Sequence, residues 1–181
     1  MILPDDYLVI VHDAPAEMSS RDLALWLHEI RAFDRVLFVN ADERDEAIQH
    51  NYGVGVALST EYDKFLFIES DMRPTVESLI LFWASDADVV GADYETECLD
   101  PDGSPMHVGF YRTRREVLER IRTENPPCFR WPSNAQHTQT VGCLCGTFCR
   151  KVLEHGYTIE KAGFVGHTPK RKRRCKPTEA E

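Results

Sequence analysis

No stretch of the sequence approaches the ~20 uninterrupted apolar residues that a membrane-crossing helix needs. The start, Met1-Ile2-Leu3-Pro4-Asp5-Asp6, lacks the basic-then-apolar order of a secretory signal. These two absences lead to the expectation of a cytoplasmic protein without a transmembrane segment. The six cysteines, Cys98, Cys128, Cys143, Cys145, Cys149 and Cys175, contain no CxxC pair and no paired framework of the kind that staples small secreted domains. They read as reduced thiols. Cys143, Cys145 and Cys149 could ligate zinc with His137 or His155, but small buried core residues account for them more simply. There is no internal repeat. No glycine stands in the turn His12-Asp13-Ala14-Pro15, where a glycine-rich phosphate loop would follow a first strand.

What is present is a chain of 181 residues, 43% hydrophobic, enough for one domain with a substantial core. The expected organisation is a single domain over 1–168 and a basic tail over 169–181. The net charge of −9 conceals an asymmetry. Lys170-Arg171-Lys172-Arg173-Arg174-Cys175-Lys176 holds six of the 21 basic residues, leaving 15 for the rest against 30 acidic ones. So acidic a body repels polyanions unless a metal or a local basic element intervenes, which argues against general nucleic-acid binding by the fold. The tail reads as a solvated, disordered terminus, with a lid over a diphosphate or a tether to a polyanion as the other readings.

Leu8-Val9-Ile10-Val11, Val36-Leu37-Phe38-Val39, Phe65-Leu66-Phe67-Ile68 and Asp88-Val89-Val90-Gly91-Ala92 are short apolar runs, as expected of strands covered on both faces. Between them lie helical patterns. Ser19 or Ser20 caps a helix with Leu23, Trp26, Leu27 and Ile30 on one stripe, and Glu43 to His50 reads as a short helix ended near Gly53. Pro74 and Thr75 open a third, with Val76, Leu79, Ile80 and Trp83 on one face. Beyond Asp93 the pattern becomes mixed: a short strand over His107 to Tyr111, a helix through Val117, Leu118 and Ile121, a long polar loop from Asn125 to Gln139, and a helix from about Thr147 to His155. Strand-like pieces then run from Tyr157 to Ile159 and from Gly163 to His167. Strands alternating with helices predict an α/β fold with a mostly parallel sheet flanked by helices.

Ligands of such sheets gather beyond the carboxyl ends of the strands. The polar residues there are Asp13, Asn40, Asp42, Glu69, Asp71 and Asp93. Glu69 and Asp71, one residue apart after a buried strand, can face a common hard cation such as Mg²⁺ or Mn²⁺, which in turn neutralises nucleotide phosphates.

The stretch Phe65-Leu66-Phe67-Ile68-Glu69-Ser70-Asp71-Met72-Arg73-Pro74 resembles the strand, DxD loop and following proline of GT-A glycosyltransferases, with Glu in the first acidic place. Arg44-Asp45-Glu46-Ala47 followed by Tyr52-Gly53 is similar to that family's arginine-bearing helix, and Gly163-Phe164-Val165-Gly166-His167 to the place where many members supply a histidine to the metal. The resemblance covers roughly 7 to 168 and implies a GT-A, Rossmann-like sheet with a small mixed acceptor-side portion towards the C-terminus. It also implies metal ligation by Asp71 and His167 with support from Glu69, and nucleoside contacts from Asp13, Asn40, Asp42 and Arg44. The implied cofactor and donor are Mn²⁺ or Mg²⁺ and a nucleotide-diphosphate sugar, with a glycan, lipid-linked sugar, protein or modified nucleic-acid base as acceptor. One departure stands out: where inverting members place an acidic pair, this chain reads Leu144-Cys145. A base would then come from Asp93, Glu95 or Glu97, or the transfer retains configuration, or activity is lost. A sugar-phosphate nucleotidyltransferase and a catalytically silent binding module are the alternative readings.

Overall fold

The structure is a computed structural model describing residues 6–12, 21–32, 35–39, 45–94, 104–133 and 142–167. Its centre is a six-stranded sheet in the order β2-β1-β3-β6-β5-β7. The strands are β1 (Tyr7–His12), β2 (Val36–Val39), β3 (Lys64–Glu69), β5 (Val89–Asp93), β6 (Phe110–Arg114) and β7 (Ile159–Phe164). β1 runs parallel to both β2 and β3, and β5 parallel to β7, while β6 is antiparallel to each of its neighbours. A two-stranded ribbon pairs β4 (Met72–Arg73) with β8 (Gly166–His167).

Alternate residues of the central strands serve two cores. Leu8 and Ile10 of β1 and Phe65 and Phe67 of β3 face α2 (Glu46–Leu58), α4 (Arg115–Glu124) and α5 (Leu144–Glu154). Val9 and Val11 with Leu66 and Ile68 face α1 (Arg21–Glu29) and α3 (Ile80–Ala84). Both faces are apolar because both are covered by helices, so these strands read as continuous hydrophobic runs.

Four expectations need correction. Val36–Val39 is an edge strand, with Phe38 58% exposed, and is not covered on both faces. α2 does not end near Gly53 but continues to Leu58. A Cβ at position 53 would fall inside contact distance of the buried His12 ring, so this glycine permits the helix to approach β1 closely and does not terminate it. The helix after Pro74 is a 3₁₀ turn over Glu77–Leu79 followed by the short α3, in which Phe82 is buried and Ile80 faces outward. The strand expected at His107 to Tyr111 is displaced to Phe110–Arg114.

Among the described residues the zinc arrangement does not form either. Cys143, Cys145 and Cys149 are buried in the core beside Phe148 and Val152, and His155 Nδ1 lies 3.6 Å from Glu124. Among the described residues no group of three or more His, Cys, Asp or Glu side chains could hold a metal. His137 and the tail lie outside the described residues. No helix among the described residues is long and apolar enough to cross a membrane.

Candidate functional site

β1, β3 and β5 carry their carboxyl ends, His12, Glu69 and Asp93, to one side of the sheet. At the end of β3 the chain is held from both sides: Glu69 N donates to Gly109 O (2.8 Å) and Ser70 N to His12 O (3.0 Å). Asp71 therefore projects from a turn fixed by two neighbouring strands. The next residues form β4, whose pairing with β8 sets Met72 opposite His167. This ribbon brings the end of the described chain back to the acidic turn. Asp71 Oδ2 and His167 Nε2 are 3.4 Å apart, with the two side chains only 17% and 15% exposed. The other oxygen, Asp71 Oδ1, is buried and has no hydrogen-bond partner among the described residues.

A buried carboxylate oxygen without a donor is costly unless a cation or ligand group satisfies it. Asp71 and His167 together offer an oxygen and an imidazole nitrogen, a donor set suited to Mn²⁺ and acceptable to Mg²⁺. A cation held there would have these two protein ligands among the described residues.

Glu69 has a different engagement. Its Oε1 lies 3.3 Å from His50 Nε2, and His50 is 2% exposed. The His50 ring packs in turn against His12 and Phe129, with centroids 4.5 and 4.8 Å apart. Asp93 ends β5 with its carboxylate 3.4 Å from Lys161 Nζ. Asp13, Asn40, Asp42, Arg44, Glu95 and Glu97 lie outside the described residues.

Three residues join the site without having stood out in the sequence. Tyr94 lies between His107 and His167, with both ring centroids at 5.4 Å. Its hydroxyl oxygen accepts from Gly109 N (3.0 Å), which leaves the hydroxyl proton available to a ligand. Burial, reinforced by the Glu69 charge, pushes the Tyr94 phenol well above its ordinary value, so it stays neutral. His107 Nδ1 is buried without a partner among the described residues, and His50 supports Glu69. Tyr94 follows directly on a strand end, which is a usable signal. His50 sits mid-helix on a buried face and offers none.

No family model and no curated protein matches this chain. Solved structures do. Protein A197 from STIV aligns with a TM-score of 0.61 at 16% identity, covering 91% of this chain and 86% of that one. The catalytic domain of Drosophila beta1,4galactosyltransferase 7, in complex with xylobiose, aligns with a TM-score of 0.57 at 15% identity, covering 96% and 75%. The fold is GT-A-like. Mannosyltransferase PcManGT from Pyrobaculum calidifontis, in complex with GDP-Man and Mn²⁺, shares it at a TM-score of 0.54 and 14% identity, covering 94% of this chain and 60% of that one. A nucleoside-diphosphate-sugar pyrophosphorylase from Vibrio cholerae aligns more loosely, at a TM-score of 0.43 and 12% identity, covering 88% and 73%. These identities describe a shared fold. Within that fold, the Asp71-His167 pair lies where the acidic turn after β3 meets the β4–β8 ribbon.

Proposed function

We propose that this chain is a metal-dependent glycosyltransferase that moves a sugar from a nucleotide-diphosphate sugar to an acceptor hydroxyl. The observation that carries the reading is the Asp71-His167 pair with its buried Asp71 Oδ1, which has no hydrogen-bond partner among the described residues. Asp71 and His167 would hold Mn²⁺ or Mg²⁺, and the cation, when bound, offsets the charge that develops on the departing diphosphate. The −9 net charge gives that role weight, because an acidic surface disfavours a diphosphate that arrives without a countercharge.

The chain's own groups divide the remaining work. Glu69, steadied by His50, would accept hydrogen bonds from the donor ribose or from metal-bound water. Asp13, Asn40, Asp42 and Arg44 would contact the nucleoside. Tyr94 would donate its hydroxyl proton to a donor or acceptor oxygen. Asp93 and Glu95 are the proposed sources of a base. For Asp93 that role requires leaving Lys161, an exposed pairing of small energy. Leu144 and Cys145 are both buried at the start of α5 and supply no carboxylate there. Retention of configuration asks less of the protein, since placement of the acceptor and stabilisation of the leaving diphosphate then supply most of the rate.

The test is a thermal-shift panel of UDP-, GDP- and dTDP-sugars and the nucleoside triphosphates, each with and without Mn²⁺. One sugar nucleotide should raise the melting temperature only when the metal is present, as expected of about 2.7 kcal/mol of stabilisation at a hundredfold excess over Kd. A response to a nucleoside triphosphate but to no sugar nucleotide would favour the nucleotidyltransferase reading. No response to any nucleotide would leave a binding module.

A further inference from the structure

Beyond the acidic turn, the molecule has a concavity of about 380 Å³ lined by Arg130, Trp131, Thr147, Arg150, Lys151 and Glu154 among others. Its charge is opposite to that of the molecule. Three cations face one carboxylate in a chain of net charge −9. Residues 125–133, which follow α4, and one face of α5 form its walls, and that segment is held by several hydrogen bonds. Asn51 Nδ2 donates to Phe129 O (2.8 Å), Phe129 N donates to Asn51 Oδ1 (3.0 Å), and Thr147 Oγ1 donates to Arg130 O (2.5 Å). Trp131 Nε1 donates to Asp45 Oδ1 (3.1 Å), the same oxygen that caps α2, so the indole is fixed in orientation. Lys151 forms the floor, with its ammonium donating to the carbonyls of Asn125 and Pro127. Arg130 and Arg150 are exposed and also line it.

The groove is connected to the proposed site by contact. Glu69 touches His50, His50 packs on Phe129, and Arg130 and Trp131 follow Phe129 in the loop. From Thr147 to Glu154 it extends along α5 for about 10 Å, at ~1.5 Å per residue. Binding energy gained in such a groove can be used to position an acceptor.

We infer that this groove seats the acceptor, and that the acceptor carries an anionic group on a sugar ring, a phosphate, sulfate or carboxylate, held by Arg130 and Arg150 while the ring packs on Trp131. The inference rests on the glycosyltransferase reading for the word acceptor. The recognition itself rests on the groove. The planar donor fork of a guanidinium suits such oxyanions, and a fixed aromatic face suits the apolar side of a pyranose. Burial, with the nearby Arg130 charge adding to it, draws the Lys151 ammonium below its ordinary value, and a bound anion relieves that crowding of positive charge.

The test follows the Trp131 indole N–H resonance, assigned with a Trp131→Phe variant, on the full chain. The probes are glucose 6-phosphate, glucuronate, glucose and inorganic phosphate. Glucose 6-phosphate and glucuronate should shift the resonance saturably, and neutral glucose should not. Inorganic phosphate should bind more weakly than the sugar phosphate. The Arg130→Ala/Arg150→Ala variant alters only exposed side chains and should keep its melting temperature and its Mn²⁺-dependent sugar-nucleotide binding while losing at least about tenfold in affinity for the two anionic sugars. An unresponsive resonance in the parent protein, or an equal response in the double variant, overturns the inference while leaving the donor reading intact. Equal binding of inorganic phosphate and glucose 6-phosphate overturns the sugar-specific part. If the anionic sugars bind but no sugar nucleotide does, the acceptor role falls together with the donor reading.

Discussion

At the scale of single residues, the least compensated group near the site is His12. Its ring is 4% exposed, and neither nitrogen finds a hydrogen-bond partner among the described residues. It stacks on Phe67 with centroids 5.7 Å apart and packs against His50. Burial, and secondarily the His50 charge, holds its pKa well below the ordinary 6.5. The unfolded chain therefore takes up this proton first as pH falls, and stability rises with pH wherever the unfolded state binds more protons. The contribution is complete above about pH 6.5 and declines below it, by up to about 1.4 kcal/mol per pH unit until the folded form also titrates. Urea unfolding between pH 7 and pH 5 should show this decline in the parent chain and a shallower one in His12→Asn. Identical pH dependence in the two proteins would contradict the assignment. That Asp71 and His167 approach one another was expected from the resemblance to GT-A glycosyltransferases and not from local pattern alone. His50 and His107 were not legible in the sequence, because their part in the site depends on side-chain approach between elements distant in sequence, and Tyr94 offered only its place after a strand end.

At the scale of elements, the contact of α2 with β1 depends on Gly53. The sequence pattern suggested a helix stop there, since glycine costs a helix about 1 kcal/mol relative to alanine. Tertiary packing reverses that preference, because an added methyl would collide with the His12 ring. Gly53→Ala should accordingly destabilise by about 1–3 kcal/mol in urea titration, despite the better helix propensity of alanine. In a His12→Ala background the same substitution should cost less, giving a measurable coupling between the two sites. An equal cost in both backgrounds would mean that the contact does not set the cost. The same competition between local pattern and packing explains the other differences. β2 has an apolar run yet lies at the sheet edge, and the segment after Pro74 has a helical stripe yet tightens into a 3₁₀ turn before α3. β1, β3 and β5 were legible because covered strands leave uninterrupted apolar runs; β6 was displaced because its run is short and mixed with arginines.

At the scale of the whole molecule, the GT-A-like sheet gathers the strand ends on one side, and the β4–β8 ribbon returns His167 to the turn after β3. The order of apolar runs and polar strand ends conveyed that architecture; the antiparallel insertion of β6 and the basic groove along α5 did not show, since both depend on which distant segments meet. Under the two proposals, an acidic molecule takes two anionic ligands, one carried in by a metal at the Asp-His pair and one held by arginines in the groove along α5. The central claim is that Asp71 and His167 hold the cation through which the donor diphosphate binds. Its most direct test is isothermal titration of the sugar nucleotide that the thermal-shift panel selects, with Mn²⁺ or with EDTA, into the parent chain, Asp71→Ala and His167→Ala. The account predicts Mn²⁺-dependent binding by the parent, none measurable with EDTA or by Asp71→Ala, and at least about tenfold weaker binding by His167→Ala. Equal, Mn²⁺-dependent affinity in the parent and Asp71→Ala would contradict it.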